Sequence, residues 1–157
     1  MDDVIDSVMG FAPGSHMAEL RARRAKIRHY TQTSYEAALH PADPRNLSYG
    51  LRAALALRMA RMWNCPELER HYAALMAKEG GPAEAADPAH RGEGWLGAVL
   101  ERVDLVTRHP KDATAEDVAR LRAAGLDDRD IVTLAGLIAY VNYQILVVSG
   151  LRMLKDH

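Results

Sequence analysis

Leu47 to Tyr72 reads LSYGLRAALALRMARMWNCPELERHY and parses into two helices joined by an abrupt bend. Ser48 is a natural N-cap, because its hydroxyl can accept a hydrogen bond from a first-turn N–H that has no partner within the helix. From there Leu51, Ala54, Leu55 and Met59 recur at helical spacing as far as Met62, and Arg52, Arg58 and Arg61 are expected on the outside. Cys65 then takes an N-cap-like position and Pro66 the first helical one, where its missing N–H does no harm. Leu68, Tyr72, Leu75 and Met76 carry the second helix to Gly80-Gly81.

Outward from this pair the chain stays helical. Asp3 to Met9 reads as a short helix closed by Gly10, and Pro13-Gly14 as a turn before a long charged helix from Met17 to His40, ended by Pro41 and Pro44. Gly14-Ser15-His16-Met17 has the look of a cloning scar but lies behind ordinary helix and turn composition, and it is read as native. Residues 79–94 are rich in Gly, Pro, Ala and charge, lack sustained periodicity, and are expected to form a mobile connection. Trp95 to Arg108 returns to helical spacing and stops before Pro110. Thr114 to Asp117 has the spacing of a capping box, with aspartate in place of the longer glutamate, and opens a helix that ends at Gly125. Asp127 or Asp128 caps the last helix. No segment alternates apolar and polar residues between hairpin turns. The expected class is all-α: one domain over residues 1–157, a bundle of about six to eight helices with no sheet.

Composition narrows the function. The chain has 157 residues, 48% of them hydrophobic, enough for one domain with its own core. Twenty basic residues against twenty-one acidic ones leave a formal charge of -1, so no global field draws in nucleic acid. The cluster Arg21, Arg23, Arg24, Lys26, Arg28 and His29 reads as a solvated helix face rather than a phosphate-binding one. A single cysteine forms no internal disulfide, and Met1-Asp2-Asp3-Val4 has neither the basic stretch nor the apolar run of a secretory signal. A cytoplasmic setting is the expectation. Ile131 to Val148 approaches the roughly 18 to 20 apolar residues of a membrane span. Thr133, Asn142, Tyr143 and Gln144 interrupt it, and it is read as a core or subunit-interface helix.

The stretch Leu47 to Tyr72 resembles the central helix pair of the carboxymuconolactone decarboxylase and AhpD-like alkyl hydroperoxidase family, whose peroxidase members read as Leu-Ser, a helix bearing a glutamate, Cys-x-x-Cys, then histidine. Ala124-Gly125-Leu126-Asp127-Asp128 with the apolar helix to Leu154 resembles the family's closing element. The start, Asp3 to Gly14, and the run Ala139 to Gln144 are similar to a subgroup known only as carboxymuconolactone decarboxylase-domain proteins. The resemblance implies an AhpD-like helical subunit that assembles as a dimer, trimer or hexamer. In the peroxidase members one cysteine reduces the peroxide, the other resolves the sulfenic acid, and glutamate and histidine relay protons. Here Leu68 stands at the second cysteine, Ala53 at the glutamate and Tyr72 at the histidine. His71 is adjacent, but lies about 120° from Cys65 around the helix, whereas Tyr72 lies within about 20°.

These substitutions point to a degenerate dithiol site. A helix N-terminus favours a thiolate by about 0.3 to 1 kcal/mol, which Glu67 and Glu69 in the same turn oppose, whereas one pKa unit takes about 1.4 kcal/mol. Cys65 is therefore read as a buried, inert thiol. Decarboxylation, the other family reaction, needs a cation-lined pocket for a dicarboxylate lactone and its developing enolate. Arg52, Arg58, Arg61 and Arg70 are read as solvent-exposed instead. The seven histidines, His16, His29, His40, His71, His90, His109 and His157, lack paired-ligand spacing, so no metal and no cofactor are expected. No phosphate loop or serine elbow occurs. Most aromatic residues are read as core or interface anchors.

The reading is of a helical scaffold, in a homo-oligomer, that binds a small ligand or pairs with an active paralogue, and contacts neither nucleic acid nor membrane. The alternative is a working enzyme: a single-cysteine peroxidase using Cys65, or a cysteine-independent lyase or hydrolase, either one in the inter-helix cavity around Cys65, Leu68, His71 and Tyr72. Candidate catalytic residues are Cys65, His71 and Tyr72. Candidate ligand-binding residues are Leu68, Glu69, Asn142 and Tyr143, with Asn142 and Tyr143 expected to reach inward from the last helix.

Overall fold

Several helix ends are set by their local chemistry. In the structure, a computed structural model that describes residues 3–156, Asp3 caps helix α1 (Val4–Met9) by accepting from the Asp6 N–H, and Gly10 closes it in the left-handed conformation. Met1, Asp2 and His157 lie outside the described residues. Ser48 caps α4 (Tyr49–Met62), and Cys65 with Pro66 opens α5 (Pro66–Glu79). The bend between them is a left-handed Asn64 at φ 49°, with the Cys65 N–H returned to the Ala60 carbonyl at 3.0 Å. After α6 (Gly94–Arg108), the capping box of α7 (Ala115–Ala123) closes despite its short aspartate, the Thr114 N–H reaching Asp117 Oδ2 at 2.6 Å. A second box, Asp127 with Asp130, opens the long α8 (Asp128–Lys155). Among the described residues there are eight α-helices, two short 3-10 turns and no strand.

The expected helix from Met17 to His40 is two helices, α2 (His16–Ala22) and α3 (Ala25–Leu39), broken at Arg23-Arg24. On one straight helix Arg21 and Arg28 would stand about 10 Å apart. With the break, both meet the same two carboxylates: Arg21 pairs with Asp3 and Asp6, and Arg28 reaches Asp6 Oδ2 at 2.7 Å. These two arginines leave the solvated face that the sequence suggests and hold α1 against α2 and α3.

Helix α4 is the centre of the bundle. Every residue from Gly50 to Ala60 is buried, beneath α3, α5, α6, α8 and the 3-10 turn Ala83–Ala86. The outward placement of Arg52 and Arg58 is therefore overturned: they are 2% and 0% exposed, and only Arg61 reaches the surface. A buried guanidinium needs hydrogen-bond partners, and α3, α6 and the loops on either side supply them. Arg52 donates to the Leu47, Ala38 and Pro44 carbonyls. Arg58 grips Asp104 of α6 with two bonds of 2.7 Å and also donates to the Asp87 and His90 carbonyls.

That second set of bonds ties the connection over residues 79–94 to α4. Ala85 and Ala86 in its 3-10 turn are fully buried, Arg61 adds a bond to the Ala86 carbonyl, and the loop is pinned onto α4. At the other end of the pair, a Cβ on Gly81 would clash with the Gly50 carbonyl oxygen, so α4 and the end of α5 touch backbone to backbone.

Helix α8 is long and apolar enough to cross a membrane by length and composition, with 44% of its most apolar window buried. Leu134, Leu137, Ile138, Val141, Ile145 and Val148 face the core. Val132, Leu146, Met153 and Leu154 face away from it.

Candidate functional site

Helices α5 and α8 run past each other in opposite senses, and three side chains of the expected site, Cys65, Leu68 and Tyr72, fall along that crossing. Cys65, at the start of α5, lies against Arg152 near the end of α8; Tyr72, two turns on, lies against Gln144. Cys65, Leu68 and Tyr72 share the inward face and are 1%, 0% and 0% exposed. Leu68 is thus core packing at the position where a resolving thiol would stand, and Ala53, also fully buried, offers no carboxylate.

The sulfur does have a carboxylate near it. Glu67 Oε2 lies 3.9 Å from Cys65 Sγ, and Arg152 Nη2 lies 3.6 Å away. The carboxylate, however, is held by Arg152 in a two-point ion pair, Nε to Oε1 at 2.8 Å and Nη2 to Oε2 at 2.5 Å. Burial raises the Glu67 pKa, but the bonds and charge of Arg152 outweigh it and leave the group below its usual range, a poor proton acceptor. Burial pushes the Cys65 thiol up, the Leu68 N–H and Arg152 oppose that, and the Glu67 charge adds to it. The net shift is away from thiolate. Glu69 sits half-buried in the same first turn and makes no bond to the sulfur among the described residues.

His71 turns off this face, as its helical angle requires. Its Nε2 meets the Tyr35 hydroxyl of α3 at 2.9 Å, and the Tyr35 ring packs against His40, whose own Nε2 lies 3.4 Å from Glu79. Burial, then the nearby His40, lowers the His71 pKa, and burial with the Glu79 charge raises Tyr35 to about 12. Tyr72 donates to Gln144 Oε1, and burial, followed by Tyr140 and Tyr35, lifts its pKa well above the ordinary phenol value. It cannot serve as a base at neutral pH.

Asn142 and Tyr143 do not meet at the sulfur. Asn142 accepts from Trp63 Nε1 at 2.9 Å and donates to Thr107 and the Ile138 carbonyl, bridging α4, α6 and α8. Tyr143 is 40% exposed and shares a 2.9 Å hydrogen bond with Thr31 of α3. They lie ten and nine residues before Arg152, about 15 Å back along α8. Sequence spacing missed Arg152, Glu67 as its partner, and the buried pair Tyr140 and Gln144, one turn apart on α8. The polar Gln144 inside an apolar run was the available signal. Gln144 Nε2 and the Tyr140 hydroxyl are buried donors without a partner among the described residues.

The roomiest apolar feature is elsewhere, a groove of about 650 Å³ between α3 and α8 lined by Ile27, Tyr30, Ala37, Leu137, Tyr140 and Tyr143. A larger cleft of about 1060 Å³ beside α6 and α7 is lined by charges that pair with one another, among them Arg58, Arg91 and Asp104, and Arg120 with Asp117. Neither touches Cys65. Among the described residues no three His, Cys, Asp or Glu side chains converge as metal ligands.

No family profile matches the sequence, and no curated protein is similar to it at the sequence level. In structure the chain is similar to an uncharacterized peroxidase-related protein from Silicibacter sp. TM1040, with a TM-score of 0.70 over 80% of this chain and 68% of that one, at 17% identity. At that identity the likeness is one of fold, and the shared all-helical fold fits the AhpD-like resemblance of Leu47 to Tyr72.

Proposed function

We propose that this chain is a carboxymuconolactone decarboxylase/AhpD-like protein that retains the helical scaffold of its peroxidase relatives without their dithiol chemistry, and that it binds a small, mostly apolar molecule in the α3–α8 groove as a homo-oligomer. The carrying observation is the enclosure of the thiol: Cys65 is 1% exposed, a leucine fills the resolving position, and the carboxylate nearest the sulfur is taken by Arg152. Peroxide reduction needs an accessible thiolate and a proton for the leaving alkoxide. The groove, by contrast, has the volume and apolar lining of small-molecule sites. An active paralogue is the partner such a scaffold would serve, and a cytoplasmic setting suits a lone thiol.

Arg152 beside the sulfur favours a second reading, a single-cysteine peroxidase. In it the Cys65 thiolate would attack the peroxide to give sulfenic acid and alcohol, and an external thiol would reduce the sulfenic acid. Alkyl hydroperoxide consumption with a dithiol reductant separates the two. The expected result is the uncatalysed rate for the wild type and for Cys65→Ser alike. Turnover that depends on Cys65 would overturn the scaffold reading.

A further inference from the structure

Helix α8 carries an exposed face with a regular period. Val132, Gly136, Ala139, Tyr143, Leu146, Gly150 and Met153 are spaced alternately by four and three residues, and all are exposed. That is the a/d repeat of a coiled-coil seam, facing away from the core helices. Val132, Leu146 and Met153 are 72%, 61% and 68% exposed, values that a helix buried only by its own chain would not choose for apolar side chains.

We infer that this seam pairs antiparallel with the same seam of a second copy, about a two-fold axis near Tyr143. The assignment rests on the homo-oligomer reading above and supplies its interface. Three features select the occupant. First, the seam is self-complementary in that sense: Val132 meets the partner's Met153, Gly136 meets the partner's Gly150, and Ala139 meets the partner's Leu146. Each small residue thus faces a small one for close approach or a large one that fills its gap, as a two-fold interface requires. In a parallel pair the glycines would still face glycines, but Leu146 would face Leu146 and Ala139 would face Ala139, so that a crowded layer would sit beside an underfilled one.

Second, the ends carry complementary charge. Arg129 continues the same spacing into the first turn of α8, is exposed, and has no ion pair among the described residues. A cation there has the wrong sign for its own helix N-terminus. In the antiparallel pair it stands beside the partner's Asp156 and the negative end of that helix, whose last turn also carries Lys155 and an Arg152 already paired with Glu67. Third, the area suffices. The seam is about 32 Å long, and its large side chains, with Ile27, Tyr30 and Leu154 at its edges, expose on the order of 900 Å², comparable to the roughly 800 Å² per partner of a stable interface. Gly136, Tyr143, Ile27 and Tyr30 also line the α3–α8 groove, so the second copy lies along the mouth of the proposed ligand site.

The test combines mass and cross-linking. Light scattering is expected to give an even multiple of the 17.3 kDa chain, and Leu146→Glu, at an exposed position, is expected to halve that mass with an unchanged helical circular-dichroism spectrum. In a Cys65→Ser background, mixing Ala139→Cys with Leu146→Cys is expected to yield a disulfide-linked pair of unlike chains, with little cross-linking of either alone. A monomer at all concentrations overturns both the interface and the homo-oligomer. An oligomer indifferent to Leu146→Glu, or Leu146→Cys linking to itself, overturns the interface and leaves the homo-oligomer standing. A monomer that floats with phosphatidylcholine vesicles, and ceases to when Leu146 is Glu, assigns the face to a membrane.

Discussion

Tyr72 and Gln144 join α5 to α8 through one buried bond. The Tyr72 phenol is fully buried and donates to a glutamine across the α5–α8 crossing. Its hydroxyl is structural. Tyr72→Phe leaves Gln144 Oε1 without its donor while its Nε2 already lacks a partner, and an unsatisfied buried polar group costs about 1 to 3 kcal/mol. Urea denaturation of Tyr72→Phe should show a loss of that size, and Tyr72→Phe/Gln144→Leu should recover much of it, because both partners are then apolar. Equal stability of Tyr72→Phe and wild type would mean that the bond carries no weight.

At the scale of the element, Arg58 does for the loop over residues 83–90 what a hydrophobic staple does elsewhere. Fully buried, it joins α4 to Asp104 of α6 and takes loop carbonyls that would otherwise lack donors. Removing one member of a buried ion pair costs about 3 to 5 kcal/mol, because the remaining charge keeps its desolvation and loses its partner. Arg58→Met should therefore lower the melting temperature sharply and speed amide exchange across residues 83–90. Arg61→Met, which removes one bond at the surface, should do neither to a comparable extent. Slow exchange of the loop in Arg58→Met would show that the buried alanines alone hold it.

For the whole molecule, the ion pairs that hold α1 to α2 and α3 and the end of α8 to α5 set a lower pH limit. Burial raises the Asp3 carboxyl, but the bonds from Arg21 and the Asp6 N–H, with the charges of Arg21 and Arg28, leave it below its usual value, and Glu67 is lowered by Arg152. Both carboxyls have depressed folded-state values, so their stabilisation is present above the unfolded values of 3.8 and 4.5 and is lost as pH falls below them. His71, lowered from 6.5 by burial, acts in the same direction at higher pH: the unfolded chain takes up its proton first, and stability declines as pH falls below 6.5. The melting temperature should thus fall in two stages on acidification. His71→Gln should abolish the first and leave the second. A single acid transition unchanged in that variant would remove the histidine from the account.

The sequence alone determined the helices and their ends. Ser48, the Thr114–Asp117 box and Asp127 cap helices in the structure as their spacing says, and Pro66 opens α5, because a cap is a bond between residues three or so apart and needs nothing from the rest of the chain. That Leu68 and Tyr72 share a buried face with Cys65 was legible for the same reason, since all three lie at helical spacing on one helix. What lies opposite a face was not. Helical period places Arg52 and Arg58 together but cannot say that loops will close over them, nor that Arg152, eighty-seven residues from Cys65, will arrive at its sulfur. Nor can period say which side of α8 the core occupies. Those outcomes depend on how the helices pack, where each buried charge must find its partners among groups distant in the chain.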